Sequence, residues 1–210
     1  MVLMSRIFKL LIIFFIFLSI FILYLSFFGI KTDRFNPIIL KKLAEKEENI
    51  KADIDFVYIK LDLKNLSLKL ITKNPSILVK NIGINIEEIE SNISIVTFFS
   101  RKPAIKNLIV NTDKNDLKDL VKIYRLYQNN FQTMMLDKLI YEGTTRFQFN
   151  LNFNKDGKFK DDYHIRGKLN NLKIKLLNKK TIDSNLVYSI KKNQFSISNL
   201  NFNYDKIKFN

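Results

Sequence analysis

The histidine at position 164 is the residue whose type most readily suggests chemistry, since it follows Asp161 and Asp162. A transition-metal site usually combines several histidine or cysteine ligands, and a serine triad places its histidine beside an exposed nucleophile. The chain has no second histidine, no cysteine and no Gly-x-Ser-x-Gly sequence. We therefore predict that His164 lies on a surface strand and that the protein is not an enzyme. A membrane-bound hydrolase that uses His164 stays open as an alternative.

Cofactor binding has no better support in the sequence. The five glycines are scattered, so they form no glycine-rich loop for a phosphate group. The acidic run at 87–90 does not alternate cleanly with apolar residues, and we predict a solvated strand end or loop there. The sequence predicts no catalytic group, no metal site and no cofactor.

Aromatic and aliphatic side chains recur at every second position in two late segments, 147–153 and 195–204. The ordinary interpretation is the apolar face of a sheet that packs against a helix. The functional interpretation is an open sheet that leaves part of this face uncovered, as a groove for acyl chains. The candidate groove-lining residues are Phe147, Phe149, Leu151, Phe153, Leu172, Ile174, Phe195, Leu200, Phe202 and Tyr204.

A strongly positive net charge, here +15, is typical of proteins that bind nucleic acids. Here the lysines are spread along the chain, and lysine, asparagine and isoleucine are all abundant while glycine and proline are scarce. This pattern is typical of biased base composition, so we predict no nucleic-acid partner. Attraction to anionic lipid head groups fits the charge better.

The elements that must position these residues begin with an uncharged run of 21 residues, Leu10–Ile30. Its length and composition predict an uncleaved membrane-spanning anchor, because a helix of about 20 apolar residues crosses a bilayer. A cleaved signal peptide and a buried core helix are the alternatives. Basic residues flank the run on both sides, so charge leaves its orientation open.

The rest of the chain predicts mainly strands. Asn36 and Pro37 are typical of a helix start, with Asn36 as the cap, and strand-like alternation begins near Ile50. A second helix, capped by Thr112 or Asp113, precedes a short helix at 131–141. We predict an α+β fold, mainly antiparallel β, with a transmembrane helix and then a curved, groove-like sheet carrying one or two short helices. The predicted units are an anchor at 1–31, a juxtamembrane helix at 32–49 and a β-rich domain at 50–210.

A local pattern recurs in five places: an apolar residue, a polar residue, asparagine, and then apolar residues at every second position. The residue before each asparagine is out of phase with those after it, so a strand that keeps its apolar face must insert a residue. Asparagine tolerates the left-handed geometry of a bulge. Chance in an asparagine-rich chain is the alternative. The predicted strand bends are at Asn65, Asn81, Asn107, Asn171 and Asn199.

The order of features resembles the AsmA-like family. The resemblance rests on the apolar span followed by TDRFN at 32–36, on PAIKNLIV at 103–110, on GKLNNL at 167–172 and on SNLNF at 198–202. It implies a single-pass inner-membrane protein of a Gram-negative bacterium, with the bulk of the chain in the periplasm. It also implies a long β-groove that supports phospholipid transport between the two membranes and envelope homeostasis.

Two functions follow as expectations. The first is a non-enzymatic groove that shields acyl chains, with the inner membrane and phospholipid as partners. The second is a scaffold for outer-membrane protein assembly that pairs a strand with its partner. The chain ends in strand-like alternation at 207–210, and AsmA-like proteins are usually longer, so the sequence favours an N-terminal portion of such a protein.

Overall fold

The computed structural model of the protein describes residues 2–95, 105–154, 156, 158–175, 181–192, 194–204 and 207–209. Within them, four helices accompany one open, curved, antiparallel sheet, which confirms the predicted fold class. The helices are α1 Val2–Phe27, α2 Asn36–Lys46, α3 Leu117–Tyr127 and α4 Phe131–Leu139. The strands are β1 Ile30–Thr32, β2 Ile50–Asp53, β3 Val57–Asp62, β4 Ser67–Lys73, β5 Ser76–Val79, β6 Ile82–Ser94, β7 Ile105–Thr112, β8 Asn115–Asp116, β9 Ile140–Phe153, β10 Phe159–Lys175, β11 Thr181–Lys191, β12 Gln194–Tyr204 and β13 Ile207–Phe209.

The sheet runs in the order β1-β3-β4-β6-β7-β9-β10-β11-β12-β13. Strand β5 pairs with β6 and carries β2 on its other side, while β8 pairs with β9. Most neighbours are consecutive in sequence, which is the arrangement that short turns between antiparallel strands produce. The strand expected from Ile50 onward is divided into β2 and β3, because residues 54–56 belong to neither strand.

Helix α1 is long and apolar enough to cross a membrane. Its stretch Ile7–Phe27 has a mean hydropathy of 2.9 over 21 residues, and none of it is buried against the protein. The described residues therefore give no support to a buried core helix, since that alternative requires protein contacts on the apolar surface. A signal sequence near the N-terminus would share the same length and composition.

The caps of the short helices differ from the sequence-based predictions. Pro37 does stand in the first turn of α2, but the Asn36 side chain caps nothing there. Its Nδ2 instead donates to the carbonyl oxygens of Ile54 and Asp55, at 2.6 and 2.9 Å. Asp116, rather than Thr112 or Asp113, caps α3 by accepting hydrogen bonds from two backbone N–H groups of the first turn. Strand β8 precedes this helix, so α3 starts several residues later than predicted.

The acidic run at 87–90 lies inside the 13-residue strand β6, so the prediction of a solvated strand end or loop there is wrong. Ile86 pairs with Thr112 and Glu88 with Asn111, so Glu87 is the extra residue of a β-bulge. The bulge explains why alternation fails there. Glu90 is then directed to Lys69 of β4, and the two charges lie 3.0 Å apart.

The five predicted strand bends fall into two groups. Asn171 and Asn199 have φ values of +50° and +52° at register shifts within β10 and β12, and Asn107 lies beside a shift in β7. Asn65 and Asn81 instead lie in turns between strands, and Asn81 has a φ of +69°. These two positions therefore correct the prediction: the same pattern there makes a hairpin turn. The turns expected near 155–158 and 191–194 include Lys155, Gly157 and Asn193, which lie outside the described residues.

Candidate functional site: the apolar face of the sheet

One face of the sheet carries apolar side chains in rows that run across the strands. Side chains of directly paired residues in antiparallel strands lie on the same face. A row through seven strands follows from the register and consists of Thr72, Ile89, Val110, Phe149, Ile165, Ile190 and Phe195. The apolar face thus extends from β4 to β12 as one surface.

A second row lies beside the first and reaches the edge strand next to α1. It consists of Ile30, Ile59, Leu70, Ser91, Leu108, Leu151 and Tyr163. Its members are half-buried, apart from Ile30, which is exposed. Seven strands therefore share this row, and it begins at the residue directly after Gly29, close to the end of the membrane-length helix.

β-bulges keep the apolar residues on that face where the alternation changes phase. In β10, Leu169 pairs with Leu186 and Leu172 with Ser184, so β10 holds one residue more than β11. The N–H of Asn171 donates to the side-chain oxygen of Asn185 at 2.8 Å, which holds the bulge. Without the extra residue, every apolar side chain beyond it would move to the opposite face.

Helices α3 and α4 cover one end of the apolar face, which we name the covered end: Val121, Gly143, Thr145, Leu172 and Leu186. All five are buried. Leu117 of α3 meets Leu172 over Gly143, where a Cβ atom would lie 3.6 Å from Cδ2 of Leu117 and 3.4 Å from Cδ1 of Leu172. This end is an ordinary sheet-on-helix core.

Tyr188 stands at the boundary of the covered end. Its ring lies across Gly167, where an added Cβ would come within 2.4 Å of the ring atoms, so a larger residue does not fit beneath it. The hydroxyl lies 3.1 Å from Oγ1 of Thr145. Burial raises the pKa of the Tyr188 phenol, and the hydrogen bond with Thr145 offsets part of that rise.

Within the described residues no helix covers the other end of the same face, and we name Phe195, Ile197 and Leu200 of β12 the open end. Their exposed fractions are 64%, 47% and 42%. Ile190 and Tyr188 of β11, which pair with Phe195 and Ile197, are half-buried. A row of large apolar side chains left in contact with solvent is typical of a surface that binds something apolar.

The structure places the predicted lining residues in both regions. Phe147, Phe149, Leu151 and Phe153 lie half-buried on the apolar face of β9, and Phe195 and Leu200 lie at the open end. Leu172 belongs to the covered end and is 7% exposed, while Ile174 two residues further on is half-buried. The register pairs Phe202 with Ser184 and Tyr204 with Ile182, and their side chains lie outside the described residues.

Sequence reasoning missed residues of several other strands that also contribute to this face. Leu70, Ile89, Val110, Ile165 and Ile190 lie in the same rows as the predicted phenylalanines. Their alternation with polar residues was visible, but only the register shows that they continue the aromatic stripe. Asn185, which holds the bulge in β10, had no signal of its own.

The opposite face of the sheet is mainly polar and internally bonded. The Asn92 side chain donates to Oδ1 of Asn107 at 2.8 Å, and Gln148 donates to Oδ1 of Asn111 at 2.8 Å. His164 lies on this face, where its Nε2 is 2.9 Å from Oγ of Ser189. Among the described residues, no group of three or more His, Asp or Glu side chains is placed to hold a metal ion.

The membrane-length helix joins the sheet without a linker. Gly29 follows it with a φ of +74°, and Ile30 already pairs with Ile59 of β3. An added Cβ at Gly29 would lie 2.7 Å from the carbonyl oxygen of Ile59, so only glycine fits this junction. The rings of Tyr24 and Phe28 stack at 5.4 Å beside it, and aromatic residues of this kind are enriched where a helix leaves a bilayer.

Comparison with known proteins returns no match: no family model, no curated protein and no solved structure is significantly similar to this chain. Functional inference therefore rests on the geometry of the two faces and on the junction with α1.

Proposed function

We propose that this chain is a non-enzymatic, membrane-anchored protein whose open apolar face shields lipid acyl chains. The observation that carries the proposal is the pair of neighbouring apolar rows: one starts at β1, the strand next to α1, and the other ends in the exposed side chain of Phe195 on β12. Each acyl CH₂ group moved from water onto such a surface contributes up to about 0.8 kcal/mol.

The junction at Gly29 supports acyl chains as the occupant. Because only Phe28 and Gly29 separate the apolar helix from β1, the first residues of the apolar face lie at the membrane surface when α1 spans the bilayer. A lipid that leaves that bilayer then meets the apolar face without crossing water. A soluble apolar ligand would need no such placement.

The cellular setting is the second part of the proposal. The motifs shared with AsmA-like proteins favour the bacterial inner membrane, with the sheet in the periplasm. In that setting the function is support of phospholipid transport between the inner and outer membranes, and through it of envelope homeostasis. In that setting the apolar face leads acyl chains away from the membrane.

A second candidate function is pairing with another protein in outer-membrane assembly. The observation that favours it is the outer edge of β12: β13 pairs with residues 202–204, and in the described part of the chain nothing pairs with residues 194–201 on that side. An unpaired strand edge is a template for strand addition.

Photocrosslinking in cells separates the two candidates. A photoreactive amino acid at Phe149 samples the apolar face, and one at Gln148 samples the polar face one residue away. We expect lipid adducts at Phe149 and none at Gln148. Equal lipid labelling at both positions, or none at either beside a positive control, would contradict the acyl-chain proposal. A protein adduct from Ser196 or Ser198 without lipid adducts at Phe149 would favour strand pairing.

A further inference from the structure

The polar face of the sheet contains a depression of about 460 Å³. Strands β10, β11 and β12 form it together, and its position follows from their register. His164 pairs with Lys191, which pairs with Gln194, and Arg166 pairs with Ser189, which pairs with Ser196. The volume is within the range of about 300–1,000 Å³ in which small molecules bind.

The sizes of the side chains explain why the surface is hollow there. Ser189 and Ser196 form the floor, together with Ser198 one step along β12. Long side chains surround them, since His164, Arg166, Lys191 and Gln194 also line the depression. The residues at the centre of these three strands are small and those around them are long. A depression open to solvent therefore remains between the long side chains.

Val187 and Tyr188 also line the depression, and its other seven lining residues are polar or charged. Arg166 and Lys191 contribute two positive charges, the serines contribute hydroxyl groups, and no carboxylate lines the depression within the described residues. Arg125 and Arg146 form ion pairs with Asp137 and Asp113, whereas no carboxylate of the described chain lies within 4.0 Å of Arg166. The Arg166 guanidinium is therefore free to bind a ligand.

We infer that this depression binds an oxyanion of the phosphate type. A guanidinium bonds two phosphate oxygens in parallel, an ammonium contributes a point charge, and serine hydroxyls donate to the remaining oxygens. The site lies on the opposite face from the acyl-chain surface, so it stands or fails independently of the proposed function. The same chemistry fits a free phosphate and a phosphate ester at a lipid head group.

Calorimetry on the full chain in phosphatidylcholine nanodiscs tests this inference. The probe is inorganic phosphate, and the variants are Arg166→Gln and Lys191→Gln. Lys175→Gln is the control, because it removes the same charge from the exposed end of β10 outside the depression. We expect each variant to weaken phosphate binding by about tenfold or more, while the control binds as the native chain does.

Two results would overturn the inference: no phosphate binding to the native chain, or an equal loss of affinity in Lys175→Gln. A second arm replaces phosphate with dihexanoyl phosphatidic acid to distinguish the two sources. Tighter binding of this lipid, still lost in Arg166→Gln, assigns the depression to a lipid head group. Binding of phosphate that is equal or tighter assigns it to a soluble phosphate.

Discussion

The covered end and the open end of the apolar face are built from the same kind of strand but differ in what lies on top of them. At the covered end, α3 and α4 enclose Val121 and Leu172, which are 8% and 7% exposed. At the open end, Phe195 of the same face is 64% exposed. The apolar pattern is continuous, but only the covered end has helices packed on it, and residues 194–201 of β12 also lie at an edge of the sheet.

We expect the side chains at the two ends of this surface to differ in how much they stabilise the fold. Apolar side chains under the helices stabilise the fold, because removing them leaves a cavity. Side chains at the open end contribute little to folding, since water already reaches them. In the proposed function the three large apolar residues there bind a ligand, and the following predictions test whether the two ends differ in this way.

The largest expected effect comes from truncating one residue at each end. Leu172→Ala at the covered end should lower the free energy of unfolding by about 2–4 kcal/mol, as for other buried leucines. Phe195→Ala at the open end should change it by less than about 0.5 kcal/mol. Urea unfolding followed by circular dichroism measures both, and equal losses would contradict the comparison.

The boundary between the two ends depends on Gly167. Gly167→Ala pushes a methyl group against the Tyr188 ring and should destabilise the protein by about 1–3 kcal/mol. Tyr188→Leu removes the ring, so Gly167→Ala should cost clearly less in that background. A double-mutant cycle measures the coupling. Additive effects would show that the ring does not rest on the glycine.

The helix cover should loosen when the cap of α3 is removed. Asp116→Ala deletes the side chain that accepts from the N–H groups of Lys118 and Asp119, and it should cost about 1 kcal/mol. Hydrogen exchange should then accelerate in α3 more than in β12. Lys122→Ala is the control, because it removes only an exposed ion pair with Asp119. Uniform acceleration across the sheet would contradict a local cover.

The smallest expected effect is a pH dependence near the covered end. The backbone N–H of Lys114 and the Arg146 guanidinium hold the pKa of Asp113 below its usual value. Because the folded pKa is the lower one, this stabilisation is present above the unfolded pKa of about 3.9 and is lost as the pH falls through the folded pKa. Unfolding of Asp113→Asn across this range should show a deficit at neutral pH that disappears in acid. A deficit that persists in strong acid would contradict it.

The sequence predicted the parts of this fold that depend on local pattern. The apolar helix, the antiparallel strands and the bulges at Asn171 and Asn199 all follow from periodicity and residue type. The division into covered and open ends did not, because Leu172 and Leu200 belong to the same apolar pattern. Leu117 of α3 and Leu172 both approach Gly143, and this arrangement between distant parts of the chain does not show in the local pattern. Likewise, the depression on the polar face depends on register between three strands.

The central claim is that the open end touches lipid acyl chains, and electron spin echo measurements test it most directly. Since the chain has no cysteine, Ile197→Cys and Ser196→Cys each accept a single nitroxide label, on the apolar and the polar face respectively. With phospholipid deuterated in its acyl chains, the account predicts deuterium modulation at position 197 and none at position 196. Modulation absent from both positions, or equal at both, would contradict the claim.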